Sequence, residues 1–269
     1  LKTPAGSLSN VLSGQITGIS SVQYSGEPGA DAADIYVRGV ATWNNAKPLI
    51  QVDGVERDFS QIDPNEIESV TVLKDASATA VFGVRGANGV ILITTKRANK
   101  DKVSVEYNGT LTFDTQLAKW DEVQQIYGMG SNGTYSYDAI SNTNKSWGPK
   151  ADGSNMLKYF DGVERPFLIV PDNTSNFFRT GITATNSAII GVNSGKTGIR
   201  FTYTDMRNKD IVPQTHMSRD IFNLRANTSA GKVDLDFSVN YTREDVKNRP
   251  ALGLSLIHIS APTRRVVIS

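Results

Sequence analysis

"VLKDASATAVFGVRGANGVILITT" (residues 72–95) is the densest signal in the chain, with Gly83, Gly86 and Gly89 recurring every third residue beside Lys74, Asp75, Arg85 and Asn88. Glycines with cations nearby suit a phosphate cradle only when they follow a strand and open a helix, because backbone N–H groups and the helix dipole then face the anion. Here the order is inverted. "IESVTVL" (67–73) reads as a strand and "GVILITT" (89–95) as another. Between them "DASATAVF" reads as a helix, with Asp75 as its N-cap and Gly83 in the left-handed position past its end. Helix C-termini do not attract anions, and no Gly-Lys-Ser/Thr lies within the block. The glycines therefore serve tight turns and close backbone contacts rather than a nucleotide.

Towards the N-terminus, "ADIYVRG" (33–39) and "PLIQVDGV" (48–55) read as strands, the second with Asp53-Gly54 as a turn signal. "SLSNVLSGQITGI" (7–19) places Leu8, Val11 and Leu12 on one face of a short helix. Residues 1–100 thus form a compact α+β unit, a small mixed sheet with short helices. Arg38 and Arg85 each precede a glycine, Gly39 and Gly86, at a strand edge or turn. They read either as solvated side chains or as forks aimed at carboxylates on another domain.

Beyond residue 103 the grammar changes. In "VSVEYNGTLTF" (103–113) and "VDLDFSVNY" (233–241) polar residues alternate with apolar ones or glycine, and "IRFTYTD" (199–205), "DIFNLRAN" (220–227) and, less cleanly, "AIIGV" (188–192) follow suit. Period-two alternation gives each strand one apolar and one polar face. The connections run long (115–182), short ("NSGKTG"), medium ("MRNKDIVPQTHMS") and very short (Gly231-Lys232). That asymmetry fits an outer-membrane barrel, with tight turns at one end and longer loops at the other. A soluble sandwich also alternates, but its loops need not sort by length. Within the long segment, "DEVQQIY" (121–127) reads as a short helix.

Composition narrows the function. A net charge of +1 over 269 residues gives no reason to expect nucleic acid as a partner. There is no cysteine, and the two histidines, His216 and His258, lie far apart, so no metal or thiolate site is expected. Asp53, Asp58 and Asp63 are spaced too widely for a calcium loop and suit turns and caps. No catalytic constellation and no cofactor motif emerges, so an enzyme is not expected. No run of 18 apolar residues and no secretory signal is present, which leaves a β-barrel open.

The succession "VLSGQITGI", "SGEPG", "IYVRG", "PLIQVDGV" and "IESVTVLKDASATAVFGVRGANGVILITTK" resembles the plug domain of the SusC/RagA-type TonB-dependent outer-membrane transporters. "NFFRTGITATNS", "RFTYTDMRNKDIVP", "RDIFNLRANTSAG" and "VNYTREDVKNRP" resemble the first barrel strands of that family. The resemblance implies a plug over residues 1–100 and, over 101–253, the first strands and extracellular loops of an incomplete transmembrane β-barrel. It implies a transporter set in outer-membrane lipid, its tight turns periplasmic and its long loops extracellular. A SusD-like surface lipoprotein would be its lid, a glycan or peptide its ligand, and TonB its motor through a segment not found here. The motif residues Arg38, Gly39, Asp53, Gly54, Lys74, Asp75, Gly83, Arg85, Gly86, Asn88 and Gly89 become candidate plug–barrel contacts. Arg38 and Arg85 are expected to meet carboxylates on strands this chain lacks. The tail "LSLIHISAPTRRVVIS" (254–269) departs from both alternation and resemblance and reads as non-native. A soluble or surface β-rich binding protein without transport is the alternative.

Overall fold

In the computed structural model the described residues are 7–12, 15–37, 39, 46–60, 62–75, 80–98, 103–116, 124–135, 146–158, 162–169, 176–249 and, for the backbone alone, 264–268. Two compact units emerge, one combining 1–114 with 180–269 and one spanning 115–179.

The N-terminal part of the first unit contains α1 (Leu8–Leu12), β1 (Ile19–Val22), β2 (Asp34–Val37), β3 (Leu49–Val52), β4 (Val55–Glu56), β5 (Ile67–Leu73) and β6 (Val90–Thr95). β1 and β2 pair antiparallel, and a second sheet runs β4-β3-β6-β5 with β3 and β6 parallel. Central β6 buries Val90, Ile91 and Ile93, as a strand covered on both faces must. Leu8, Val11 and Leu12 of α1 join Ile35, Val37, Val52 and Phe59 in the same core. Asp53 and Gly54 take φ values of 52° and 85°, so the Asp-Gly signal makes the tight hairpin turn expected of it.

The glycine block differs from its sequence reading in one respect. Residues 76–79 lie outside the described set, and Ala80–Gly86 is 3-10 rather than α-helix, broken at Gly83 (φ 58°, ψ −147°). Gly83 therefore sits inside a kink, not in the left-handed α cap position. Gly89 has φ +91°, and a Cβ there would lie 2.8 Å from Val37 Cβ. Gly89→Ala combines backbone strain with a clash and should cost about 2–4 kcal/mol. Gly83→Ala meets nothing within 4 Å and should cost less, chiefly the strain of its positive φ. Thermal melts of the two variants, compared side by side, check the difference.

The remaining strands are β7 (Val103–Asp114), β8 (Asp152–Lys158), β9 (Glu164–Leu168), β10 (Gly181–Asn193), β11 (Thr197–Lys209), β12 (His216–Ala230), β13 (Val233–Lys247) and β14 (Arg264–Ile268). All but β8 and β9 form one open antiparallel sheet, ordered β14-β13-β12-β11-β10-β7. The strands run longer than their alternation suggested. β11 reaches Lys209 and β12 starts at His216, so most of the expected medium loop is strand and only 210–215 connects them. The sheet is inside out. On β11, Arg200, Thr202 and Thr204 are buried while Ile199 and Phe201 are exposed. Its polar face lies under the N-terminal part, and its apolar face is open along Val103, Leu111, Ile190, Leu235 and Phe237.

The unit 115–179 is built on the β8–β9 hairpin, with Tyr127 bridged to Lys150. The helix expected over 121–127 is absent from its described part. At 124–127 the Gln124 side chain instead accepts from the amides of Ile126 and Tyr127, at 3.0 and 2.9 Å, and so fixes an irregular turn.

Candidate functional site: a polar seam

The N-terminal part meets the long-stranded sheet through side chains that water would otherwise solvate. They gather at three levels along the strands.

Nearest the tight turns stands Arg225 of β12. Its Nη1 donates to Asp53 Oδ1 and to the Thr95 carbonyl, each at 2.9 Å, and to the Thr95 hydroxyl. Its Nε and Nη2 grip Asp236 of β13 at 3.1 and 2.8 Å, a two-pronged fork. Arg97 approaches the same carboxylate from the N-terminal part at 2.7 Å. Asp53 is set for this by its turn, where its two oxygens also accept from the Thr95 amide (2.9 Å) and hydroxyl (2.7 Å). One aspartate thus shapes a hairpin, ties it to the end of β6 and receives an arginine from the sheet.

At mid-height stand Asp63, which precedes the 3-10 turn Pro64–Glu66, and Glu66, the last residue of that turn. Asp63 caps that turn through the Asn65 amide (2.8 Å) and with its other oxygen accepts from Ser187 (2.8 Å) and Thr204. Glu66 accepts from Arg200 (3.1 Å), Thr202 (2.7 Å) and Asn223 (3.2 Å). Glu66 and Arg200 each retain only 4% side-chain exposure, so this pair is shielded from bulk solvent. Beside it lies a cavity of about 70 Å³ between Arg57, Asp63 and Glu66 on one side and Thr202, Asn223 and Thr242 on the other. That is room for several waters among polar partners. Burial pushes the Arg57 guanidinium down from its ordinary value.

Towards the longer connection, Gly29 (φ +74°) approaches so closely that a Cβ would fall 2.6 Å from Glu244 Oε1 and 2.8 Å from Arg249 Nη2. Glu244 is paired with Arg219 at 2.7 Å. Asp31 on the same loop is pushed above the ordinary carboxylate range by burial, which the Arg219 charge offsets only in part. A raised carboxyl favours the folded state fully below the unfolded value and loses that contribution as pH climbs through the folded one. Asp31→Asn should therefore raise the melting temperature at neutral pH and lose its advantage below about pH 4. Melts of both proteins across that range test the sign.

The sequence candidates divide. Asp53 belongs to the seam, and Gly54 (φ +85°) completes the turn that sets it. Lys74 Nζ instead donates to the Thr17 carbonyl at 2.5 Å, Asn88 reaches the Lys47 carbonyl at 3.4 Å, and Gly86 and Gly89 close a turn at 2.9 Å. Asp75 is exposed at the end of β5, Gly39 has φ +83°, and Arg38 lies outside the described residues. Arg85 pairs with Glu56 inside the N-terminal part and not with the sheet. Two of the seam's arginines, Arg200 and Arg225, stand on the sheet with carboxylates opposite, whereas Arg97 of the N-terminal part reaches a carboxylate of the sheet, and all these partners are present in this chain. Glu66, Thr95, Arg97, Arg200 and Arg225 were not found by sequence reasoning, and Asp63 was seen only as a capping residue. Among the described residues, no group of three or more His, Cys, Asp or Glu is placed to hold a metal.

The family model for the TonB-dependent Receptor Plug Domain matches residues 1–90. The chain is similar to the TonB-dependent receptor SusC of Bacteroides thetaiotaomicron, 31% identical over 258 residues, covering 90% of this chain and 23% of that protein. TonB-dependent receptor P3 of Formosa agariphila is 42% identical over 177 residues, covering 58% of this chain and 17% of that protein. This chain therefore spans about a quarter or less of the length of these curated relatives. Among solved structures, the RagAB peptide transporter aligns with a TM-score of 0.70 at 19% identity, over 91% of this chain and 30% of that one. The closed-closed state of the RagAB peptide importer gives 0.68 at 21% identity, over 93% and 30%.

Proposed function

The chain belongs to the SusC/RagA-type TonB-dependent receptors, and from that premise we propose that the whole protein imports a nutrient, an oligosaccharide or a peptide, across the outer membrane. Residues 1–100 act as the plug. The strands from 101 to 253, with their connections, form the first part of the barrel wall, and 254–269 stand outside that design. A SusD-like lipoprotein closes the outer mouth over the ligand, and TonB supplies the work. The observation that carries this reading is the inside-out sheet. Its exposed apolar face suits lipid, and its polar face is matched group for group to the plug's carboxylates. Polar fastening suits a part that must seal a pore and still let go, because every bond broken on release can be remade with water.

The test is cell fractionation of the full-length receptor followed by uptake of fluorescent oligosaccharides and peptides. The expected result is recovery in the outer membrane and uptake that a protonophore abolishes. Recovery in a soluble fraction, or uptake indifferent to the protonophore, would sink the reading.

A further inference from the structure

The unit 115–179 holds a tryptophan at its surface by fixing the backbone around it. Trp147 is 65% exposed, so its side chain fills no core. Its amide donates to the Gly130 carbonyl at 3.0 Å, and its carbonyl accepts from the Gly133 amide at 3.1 Å. Gln124 ties down the preceding residue, donating to the Ser146 carbonyl at 2.9 Å. The following residue, Gly148, crosses its neighbour so closely that a Cβ there would fall 2.2 Å from the Met129 carbonyl oxygen. An exposed ring on so constrained a backbone adds little to stability through burial. It is, however, positioned in advance for a ligand.

The neighbours of Trp147 say which ligand. The Tyr127 ring stands 5.8 Å from the Trp147 ring, tilted by 42°, and is itself exposed. Tyr127 faces Lys150 across an antiparallel bridge. The Gly128 amide donates to the Pro149 carbonyl at 3.1 Å and the Ala151 amide to the Ile126 carbonyl at 2.9 Å, one on each side of that bridge. The bridged pair is therefore the non-hydrogen-bonded kind, with side chains about 5 Å apart on one face. Lys150 Nζ meets Asp152 Oδ2 at 3.2 Å, and both side chains are exposed. Hydrogen bonds from Ser154, and then Lys150, hold the Asp152 carboxyl down at about 2, so it stays an acceptor at neutral pH. Two rings and a matched ion pair thus form one open surface.

We infer that Trp147, Tyr127, Lys150 and Asp152 form a site for a neutral pyranose of an oligosaccharide ligand. A pyranose matches both halves of the surface. One of its faces presents axial C–H groups, which pack on the negative face of an aromatic ring. Its rim carries neighbouring hydroxyls, each both donor and acceptor. One hydroxyl accepts from Lys150, whose ammonium has three donors and gives one to Asp152. The next hydroxyl donates to Asp152 Oδ2. A charged sugar would meet one member of the ion pair as a like charge. A peptide needs a pocket closed around a side chain or an unmatched charge for a terminus, and this surface is open and its charges are paired. The inference rests on the import reading given above and narrows its cargo to a saccharide.

The test is titration calorimetry of the purified full-length receptor with neutral hexasaccharides of glucose, mannose, galactose and xylose, and with uncharged, end-blocked hexapeptides. Wild type should bind at least one hexasaccharide. Trp147→Ala should weaken that binding about 10-fold, Trp147→Phe less, and Lys150→Gln/Asp152→Asn about 10-fold. The Trp147→Ala protein should melt like wild type, since the side chain is exposed and its backbone bonds remain. Failure of wild type to bind any hexasaccharide overturns the site, as does equal binding by variants and wild type, or the same loss for hexapeptides. Fractionation and uptake separate the two readings. Protonophore-sensitive uptake with unchanged binding by Trp147→Ala sinks only the site. Saccharide binding that Trp147→Ala weakens, in a receptor recovered from a soluble fraction, sinks the import reading and keeps the site.

Discussion

Arg225→Met in the full-length receptor is expected to lower the stability of the contact between the N-terminal part and the sheet by about 3–5 kcal/mol and, on the function proposed above, to raise the ion leak of the reconstituted protein. The side chain is only 6% exposed and serves two carboxylates and a carbonyl at once. Methionine fills much of the space but leaves Asp53 without its cation, while Asp236 keeps only Arg97. Removing one member of a buried charged set costs more than the set contributes, because the charges left behind keep their desolvation penalty. Arg225→Lys should fall between, since an ammonium keeps the charge but cannot reproduce the fork on Asp236. Melting curves and planar-bilayer conductance provide the readouts. A methionine variant that melts and seals like wild type would remove Arg225 from the role given to it.

The second large effect is expected at mid-height. Glu66→Ala strands Arg200 and leaves Thr202 and Asn223 without their acceptor, and Arg200→Ala strands Glu66. Each single change should cost about 3 kcal/mol. The double change should cost much less than the sum, with a coupling of about 2–3 kcal/mol, because no buried charge then remains unpaired. A double-mutant cycle on thermal or denaturant stability measures that coupling. Strict additivity would mean that the two residues do not act as a pair.

Much of the fold was legible because its signals are local. Asp53-Gly54 specifies its turn through backbone conformation alone. The glycines of 83–89 announced tight connections, and the strands were readable from alternation. The helix expected at 75–82 failed in its described part because Ala-rich propensity was given more weight than Gly83, which breaks the segment into 3-10 pieces. The seam was hidden for a different reason. Alternation shows that β11 has a polar and an apolar face, but not which one is covered. Arg200 and Arg225 look like solvated residues in any soluble sheet, and only the N-terminal part lying on that face makes them buried. Asp63 and Glu66 were hidden likewise, since a cap and a 3-10 acid carry no mark of the strands they will meet. Arg85 drew attention as a charge beside glycines, yet its nearest carboxylate was in its own domain.

The levels of the seam also decide how the N-terminal part yields to force. Arg225 and Glu66 lie at successive heights along the strands, not side by side around them, and the close approach of Gly29 lies beyond them. A pull spread evenly would load both anchors together in shear, and the resistance would be their sum. A pull entering at one end would instead peel them singly, and the peak force would be set by the stronger level alone. If the N-terminal part is the plug proposed above, the same bonds withstand osmotic pressure over the whole of it and give way to a thread drawn from one corner.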